Sequence, residues 1–491
     1  MSRKAPPKRH GSEAFVALLI IAAIAIIYLL YIASPLSVIV RAVLAIATLL
    51  VIGTIIQRTL RLNGGFGLYM LGSRMGLATI SRTATKHGAF WDLMWQWGLT
   101  MGFGLLTYPL MRGKIDRRAF ALGMISLLAV VLIVMPYIAV SAVQFINLPQ
   151  LSGAATSSSV QPYVPTSILT YAIYAIIVVG GFSAYIFAVL IANTGSILWS
   201  FTRFVINPSL GESGSGLSSQ VPGVAPLIPG IDVPLFASII SLAILLAIHE
   251  FSHGVLARRA KVKLKSIGLL AFGFIPIGGY VEPDEKAVSK LPSIKQTSIF
   301  SAGIAANFIA MLAFFALFAA FHAYVIPHAY HYGIVVTGTV PNYPANGVLR
   351  KGMHVIAWNG APVTGIASLD AAAASDKPNS TVSVLTNDGT YNMTAVQSPS
   401  NSSRGLIGVS LGYEPILDTP YAKAAYFIYS VLALGMVLNF LVAVVNLLPI
   451  PGLDGWRIFY VNIKRKGITR FLGALVIILL IINALPWLLY I

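Results

Sequence analysis

Long apolar runs dominate the chain, and short polar segments separate them. Runs at residues 14–32, 35–56, 119–147, 166–190, 233–255, 298–326, 424–448 and 471–491 approach or exceed the roughly 20 residues needed to cross a hydrocarbon core. Each predicts a membrane-spanning helix. Residues 91–111 are apolar but rich in Gly, Trp and Met, and 192–206 either extend the preceding span or form a re-entrant piece. Residues 267–281 (IGLLAFGFIPIGGYV) are apolar but too short and glycine-rich for a span. They predict a re-entrant β-hairpin, which membrane depth tolerates only where it is buried in protein or lines a wet cavity. No fixed-period repeat is evident.

The pattern changes at 330–420, where short β-like runs alternate with turns. The runs VSVLT and TYNMTAV around Asn387 and Gly389 predict a hairpin. This stretch is long enough for one small domain. The chain then divides into an N-terminal transmembrane region of unassigned role (1–206), a Gly/Ser/Pro linker (207–232), a core segment (233–329), an inserted β-rich domain (330–420) and a closing core segment (421–491).

Only 10% of residues are charged and the mean hydropathy is +0.82, so the fold class is a polytopic α-helical membrane protein. The net charge of +18 does not imply nucleic acid. The cations cluster at 1–9, 58–86, 112–118, 258–265 and 457–470, beside the ends of apolar runs. That is the positive-inside pattern, with some attraction to anionic lipid. It orients the ends at 258–265 and 464–470 toward the cytoplasm and 330–420 outside, in a cell membrane. Sequons at Asn379, Asn392 and Asn401 are candidate glycosylation sites that fit an extracytoplasmic surface. In the N-terminal half, an external loop at 148–165 and an external linker require an extra or re-entrant crossing within 166–206. The chain has no cysteine, so a metal would be held by His, Asp, Glu or Asn.

Residues 249–253 read His-Glu-Phe-Ser-His inside an apolar run. Burying a carboxylate and two imidazoles at bilayer depth is costly, which marks them as functional candidates. On a helix, His249 and His253 lie one turn apart on one face with Glu250 beside them, the HExxH geometry of a zinc hydrolase. Such a site needs three protein ligands and an open position. Asp454, at the end of another apolar run, is the natural third. Glu250 is then the general acid/base. Asn446 and Asn307 are polar side chains in apolar spans, candidates for holding an extended substrate or an oxyanion. For Asn307, interhelical glue beside Gly303 is the stronger reading. Asp454 has the competing role of a helix cap. His322, His328 and His331 alternate with tyrosines as in an interfacial belt. Glu282, Asp284 and Glu285 read as a solvated turn.

With HEFSHG at 249–254 and NLLPIPGLDG at 446–455, the chain resembles the site-2 protease family of intramembrane zinc metalloproteases. Supporting matches are the Pro-Gly-Ile-Asp-Val-Pro run at 229–234, Gly-Gly-Tyr-Val at 278–281 and the Gly303-to-Asn307 spacing. The resemblance implies one zinc per chain, held by His249, His253 and Asp454, with Glu250 catalytic. It implies that Asn446 sits near substrate, with Gly278 and Gly279 as further candidate substrate contacts. Residues 330–420 resemble a PDZ domain, departing at Met353, where an acidic residue often follows the glycine. The expected partners are transmembrane protein substrates, the lipid bilayer and a peptide ligand of the PDZ-like domain.

The expected function is intramembrane endopeptidase cleavage of substrate helices unwound into strands, in regulated intramembrane proteolysis. The competing reading is a non-catalytic membrane scaffold with a structural metal and a peptide-binding domain. Glu250 beside an open three-ligand site argues against it. A membrane di-iron enzyme needs several His-rich clusters, whereas this chain has eight histidines and one paired set. A transporter would be favoured by inverted repeats.

Overall fold

The computed structural model describes residues 10–32, 36, 38–146, 168–206, 222–225, 227–399 and 401–486. The basic cluster at 1–9, the loop at 148–165 and most of the linker lie outside the described residues. Seven described helices are long and apolar enough to cross a membrane, and the chain is a multi-pass membrane protein. It forms two units, residues 1–315 with 433–491, and residues 316–432.

In the first unit, α1 (His10–Ile32) packs on α2 (Val38–Leu60). Strands β1 (Asn63–Gly65) and β2 (Leu68–Ser73) follow, then α3 (Leu77–Lys86) and α4 (Gly88–Phe103). The link between β1 and β2 is Phe66-Gly67, both with positive φ, the backbone of a two-residue hairpin turn. In the sequence, 58–86 shows only as a basic cluster. Its hairpin instead extends the expected one: β3 (Leu264–Phe272) and β4 (Ile275–Pro283) join β1 and β2 in a sheet ordered β1-β2-β3-β4. Tyr69 is paired with Ala271 and donates its hydroxyl to the Gly273 carbonyl at 2.7 Å. Such long-range pairing leaves little trace in local periodicity. Strand β4 is an edge, which suits Pro276 and Pro283.

Helix α4 is the ambiguous apolar stretch. It buries Trp91, Trp95, Trp97, Leu99, Met101 and Phe103, as an all-round apolar helix must. It is shorter than a span and packs inside the unit, with Phe103 edge-on to Phe459 at 5.4 Å. Next comes α5 (Arg117–Phe145), which contains one π turn at Val130–Val134. The helical stretch α6 (Ile168–Ile206) is 39 residues long and broken at Gly181, where φ is 62°. The break lies within the 166–206 stretch expected to hold an extra or re-entrant crossing, and 192–206 continue the second helical segment. Phe182, next to the break, packs on Phe308 at 5.6 Å and Phe440 at 5.1 Å. The N-terminal half is thus built into the core.

Helix α7 (Leu235–Arg259) carries the HExxH residues. After β4, Asp284 caps α8 (Glu285–Ser289), accepting from Lys286 N and Ala287 N. Helix α9 (Ser293–Tyr324) follows. Glu282 is paired with Lys265 at 3.1 Å and Ser266 at 2.8 Å. The acidic turn is therefore a set of separate contacts.

In the second unit, strands β5 (Tyr332–Thr339), β6 (His354–Trp358), β7 (Ala361–Pro362), β8 (Thr381–Thr386), β9 (Gly389–Thr394) and β12 (Val409–Pro415) form one sheet. Its order is β12-β5-β6-β8-β9, with β7 on β6. The expected hairpin is β8–β9. Helix α10 (Ile366–Ala373) and the short pair β10 (Val396–Gln397) and β11 (Gly405–Leu406) complete it. Alternate residues Val382 and Val384 enter a core with Ile334, Val355, Trp358 and Met393. Asp376 is buried and accepts from Trp358 Nε1 at 3.0 Å and Asn359 Nδ2 at 2.7 Å. Asn379, Asn392 and Asn401 are exposed. The chain closes through α11 (Pro420–Val445), α12 (Asp454–Asn462) and α13 (Lys466–Ala484).

Candidate metal centre

His249 and His253 project from one face of α7 because four residues make about one helical turn. Asp454 reaches them through a loop. The Pro-rich sequence after Asn446 cannot continue α11, and the chain folds back until Gly455 N donates to the Asn446 carbonyl at 2.6 Å. Leu453 is the N-cap of α12, and Asp454 is its first helical residue. The carboxylate therefore does not cap the helix. It lies 3.4 Å from His249 Nε2 and 3.2 Å from His253 Nε2, and the two ring nitrogens are 3.1 Å apart.

These three edges suit one metal ion. Ligands at 2.0–2.1 Å in a tetrahedron stand about 3.3–3.4 Å from one another. Asp454 Oδ2 is buried and has no hydrogen-bond partner, a state that is costly unless a cation satisfies it. Among the described residues, these three form the only His/Asp/Glu group with this spacing. His322, His328 and His331 do not join it.

The far side of each imidazole is also held. His253 Nδ1 lies 2.7 Å from the Ile299 carbonyl, so Nδ1–H donates and the Nε2 lone pair faces the triangle. His249 Nδ1 is 3.1 Å from the Asn307 amide. Asn307 is fully buried, and its Oδ1 has no partner. Turning the amide over sets Oδ1 to accept Nδ1–H, which satisfies both groups. Asn307 does not line the cavity beside the triangle. Its contact links α9 to the His249 ring, in keeping with the interhelical reading of this residue.

Gly303 faces the triangle from α9. A Cβ there would stand 2.4 Å from His249 Cε1 and 2.5 Å from His253 Nε2. In the sequence this glycine signals only helix packing; its place against the imidazoles is visible only in three dimensions.

A cavity of about 570 Å³ opens beside the triangle. Its wall includes Glu250, Tyr280, Val281, Phe300, Asn446 and Arg457. Glu250 Oε2 accepts from Val281 N at 3.0 Å, so strand β4 holds this carboxylate outside the ligand set. Gly279 packs over it, with the position of a Cβ 3.1 Å from Glu250 Cγ. Gly278 has only Leu270 Cβ nearby, at 3.9 Å, and neither glycine lines the cavity. Asn446 does, and its Nδ2 donates to the Val442 carbonyl at 3.0 Å.

Residues 237–470 match the model of peptidase family M50. This match supports a site-2 protease family member. The match runs from α7 to the start of α13 and contains every member of the triangle. A protein of Methanocaldococcus jannaschii named only as uncharacterized is 27% identical over 245 residues, covering 49% of this chain and 61% of the relative. The chain thus spans about three fifths of the length of that curated relative. At this site the Val281 N–H and the Ile299 carbonyl are not legible in the sequence. Backbone groups carry no side-chain signal, and their roles depend on which strand or turn lies beside the α7 face.

Proposed function

We propose that the protein is a zinc-dependent intramembrane endopeptidase. The observation that carries this reading is the His249–His253–Asp454 triangle with Glu250 held beside it on a cavity wall. Two imidazoles and a carboxylate are a fitting donor set for zinc with one position open. When bound there, zinc supplies Lewis-acid polarisation of a scissile carbonyl and lowers the pKa of water toward about 7.

The remaining work falls to side chains and backbone. Glu250 takes a proton from the attacking water and delivers it to the leaving nitrogen as the carbon–nitrogen bond breaks. The Val281 N–H keeps its carboxylate aimed into the cavity. Strand β4 is a sheet edge beside the site, suited to an extended peptide, because a helical peptide bond is shielded by its own hydrogen bonds. Asn446 is the side chain nearest in kind to a substrate backbone anchor. Tyr280 and Phe300 offer apolar wall for substrate side chains.

The basic segments at 258–265 and 464–470 favour a site toward the cytoplasm, with the β-rich domain outside. A peptide-binding PDZ-like domain and release of cleaved segments in regulated intramembrane proteolysis fit the same reading. The decisive experiment uses purified protein and a transmembrane reporter with a helix-breaking Gly-Pro pair. Glu250→Gln should retain about one zinc per chain and lose cleavage, whereas Asp454→Ala should lose zinc. Cleavage by Glu250→Gln at the wild-type rate would overturn the assignment.

A further inference from the structure

Asp454 and Arg457 are three residues apart on α12, so they share a face of the helix. Both line the cavity with His249, Glu250 and His253. The guanidinium carbon of Arg457 lies 5.4 Å from the centroid of the Phe300 ring. Phe300 is a buried wall residue directly after Ile299, whose carbonyl holds His253. Stacking on an aromatic face fixes the plane of a guanidinium and leaves its N–H edge available. Among the described residues, that edge meets no carboxylate and no hydrogen-bond acceptor.

The neighbouring cation behaves differently. Lys466 stacks over Tyr460 at 4.3 Å and donates to the Tyr460 and Ile463 carbonyls at the end of α12. Its donors are occupied in capping. Arg457 has no such task, although its fork is the better shaped for a carboxylate.

Resting on the peptidase reading above, we infer that Arg457 forms a carboxylate-recognising subsite of the catalytic cavity. Two sources supply that chemistry. One is an acidic side chain of the substrate close to the cut. The other is the C-terminal carboxylate that hydrolysis creates in the same cavity. Glu285 also lines the cavity, so the preference is local to Arg457. An extended chain advances about 3.3 Å per residue, enough to bring an acid to Arg457 and a different residue to Glu285.

Two measurements separate the sources. In the first, transmembrane reporters with a Gly-Pro pair carry Asp or Asn at each of the positions flanking the cut. Wild type should favour Asp over Asn at one position by about tenfold, as charge-assisted hydrogen bonds in a partly wet site allow. Arg457→Gln should abolish that ratio, Arg457→Lys should restore part of it, and Arg457→Glu should favour Lys there instead. In the second, a short peptide with a free C-terminus and its amide compete for zinc-loaded Glu250→Gln protein. The acid-to-amide ratio of affinities should fall about tenfold when Arg457→Gln is added.

A change in the first ratio alone assigns the subsite to a substrate side chain, and in the second alone to the new C-terminus. If Arg457→Gln alters neither ratio while zinc content is retained, the inference is overturned. If that variant does not accumulate, Arg457→Lys is decisive, since loss of the fork should lower the same ratios. If wild type holds zinc and cuts no reporter, the peptidase reading fails, and the competition measurement still decides the role of Arg457.

Discussion

The α9 backbone at Gly303 lies so close to His249 that a Cβ would stand 2.4 Å from its Cε1 atom. The helix that follows the sheet is therefore one wall of the His249–His253–Asp454 triangle. Contacts below 3.0 Å cannot be relieved without moving α9 or the imidazole. Gly303→Ala should weaken zinc binding at least about tenfold, the lower range for disturbed ligand support. Competition with a chromophoric chelator measures it. Gly278→Ala, with no atom nearer than 3.9 Å, is the matched control and should retain zinc.

Asn307 tests the orientation of His249. Replacement by Leu removes the partner of Nδ1 while keeping the branching at Cγ. Zinc affinity should fall about 10- to 100-fold. Asn307→Asp should retain more affinity than Leu, because a carboxylate also accepts Nδ1–H. Equal affinity in the Leu and wild-type proteins would exclude the orienting role.

Val281 tests the hold on Glu250. Its N–H points to the carboxylate rather than across the ladder, so proline removes that donor without costing a strand hydrogen bond. Val281→Pro should lower kcat about tenfold or more, the scale of a lost aligned hydrogen bond in catalysis, with zinc content unchanged. Loss of zinc in parallel would instead indicate collapse of the sheet.

His354 predicts a pH response in the second unit. Burial pushes its pKa below the ordinary value, and the His331 ring pushes it further down, against a smaller opposing effect of Asp418. The unfolded chain then binds more protons than the folded one between the lowered pKa and about 6.5. Stability of residues 332–415 should hold above about pH 6.5 and decline as pH falls through the folded pKa. Hydrogen exchange of this segment in the full-length protein measures the trend. His354→Gln should flatten it.

Much of the architecture was legible because its signals are local. Membrane spans follow from runs of apolar residues, and the shared face of His249 and His253 follows from helical pitch. Residues 267–281 announced a hairpin through their length and glycines. Hairpin β1–β2 was not legible, since its strands are short and its partner strand lies about 200 residues onward. The position of the break at Gly181 within 166–206 was not legible, because several glycines and small residues in that run are equivalent to a periodicity argument.

The sequence alone determined the donor chemistry: two imidazoles one turn apart, one carboxylate beside them and one more in a Pro-rich loop. Tertiary structure decided how those groups are arranged. The loop from Asn446 to Gly455 turns Asp454 into the triangle rather than onto a helix cap. Asn307 and Ile299 select the ring nitrogens, and β4 takes Glu250 out of the ligand set. A metal triangle is defined to a few tenths of an ångström, and that tolerance depends on contacts between segments that helical or strand periodicity cannot register.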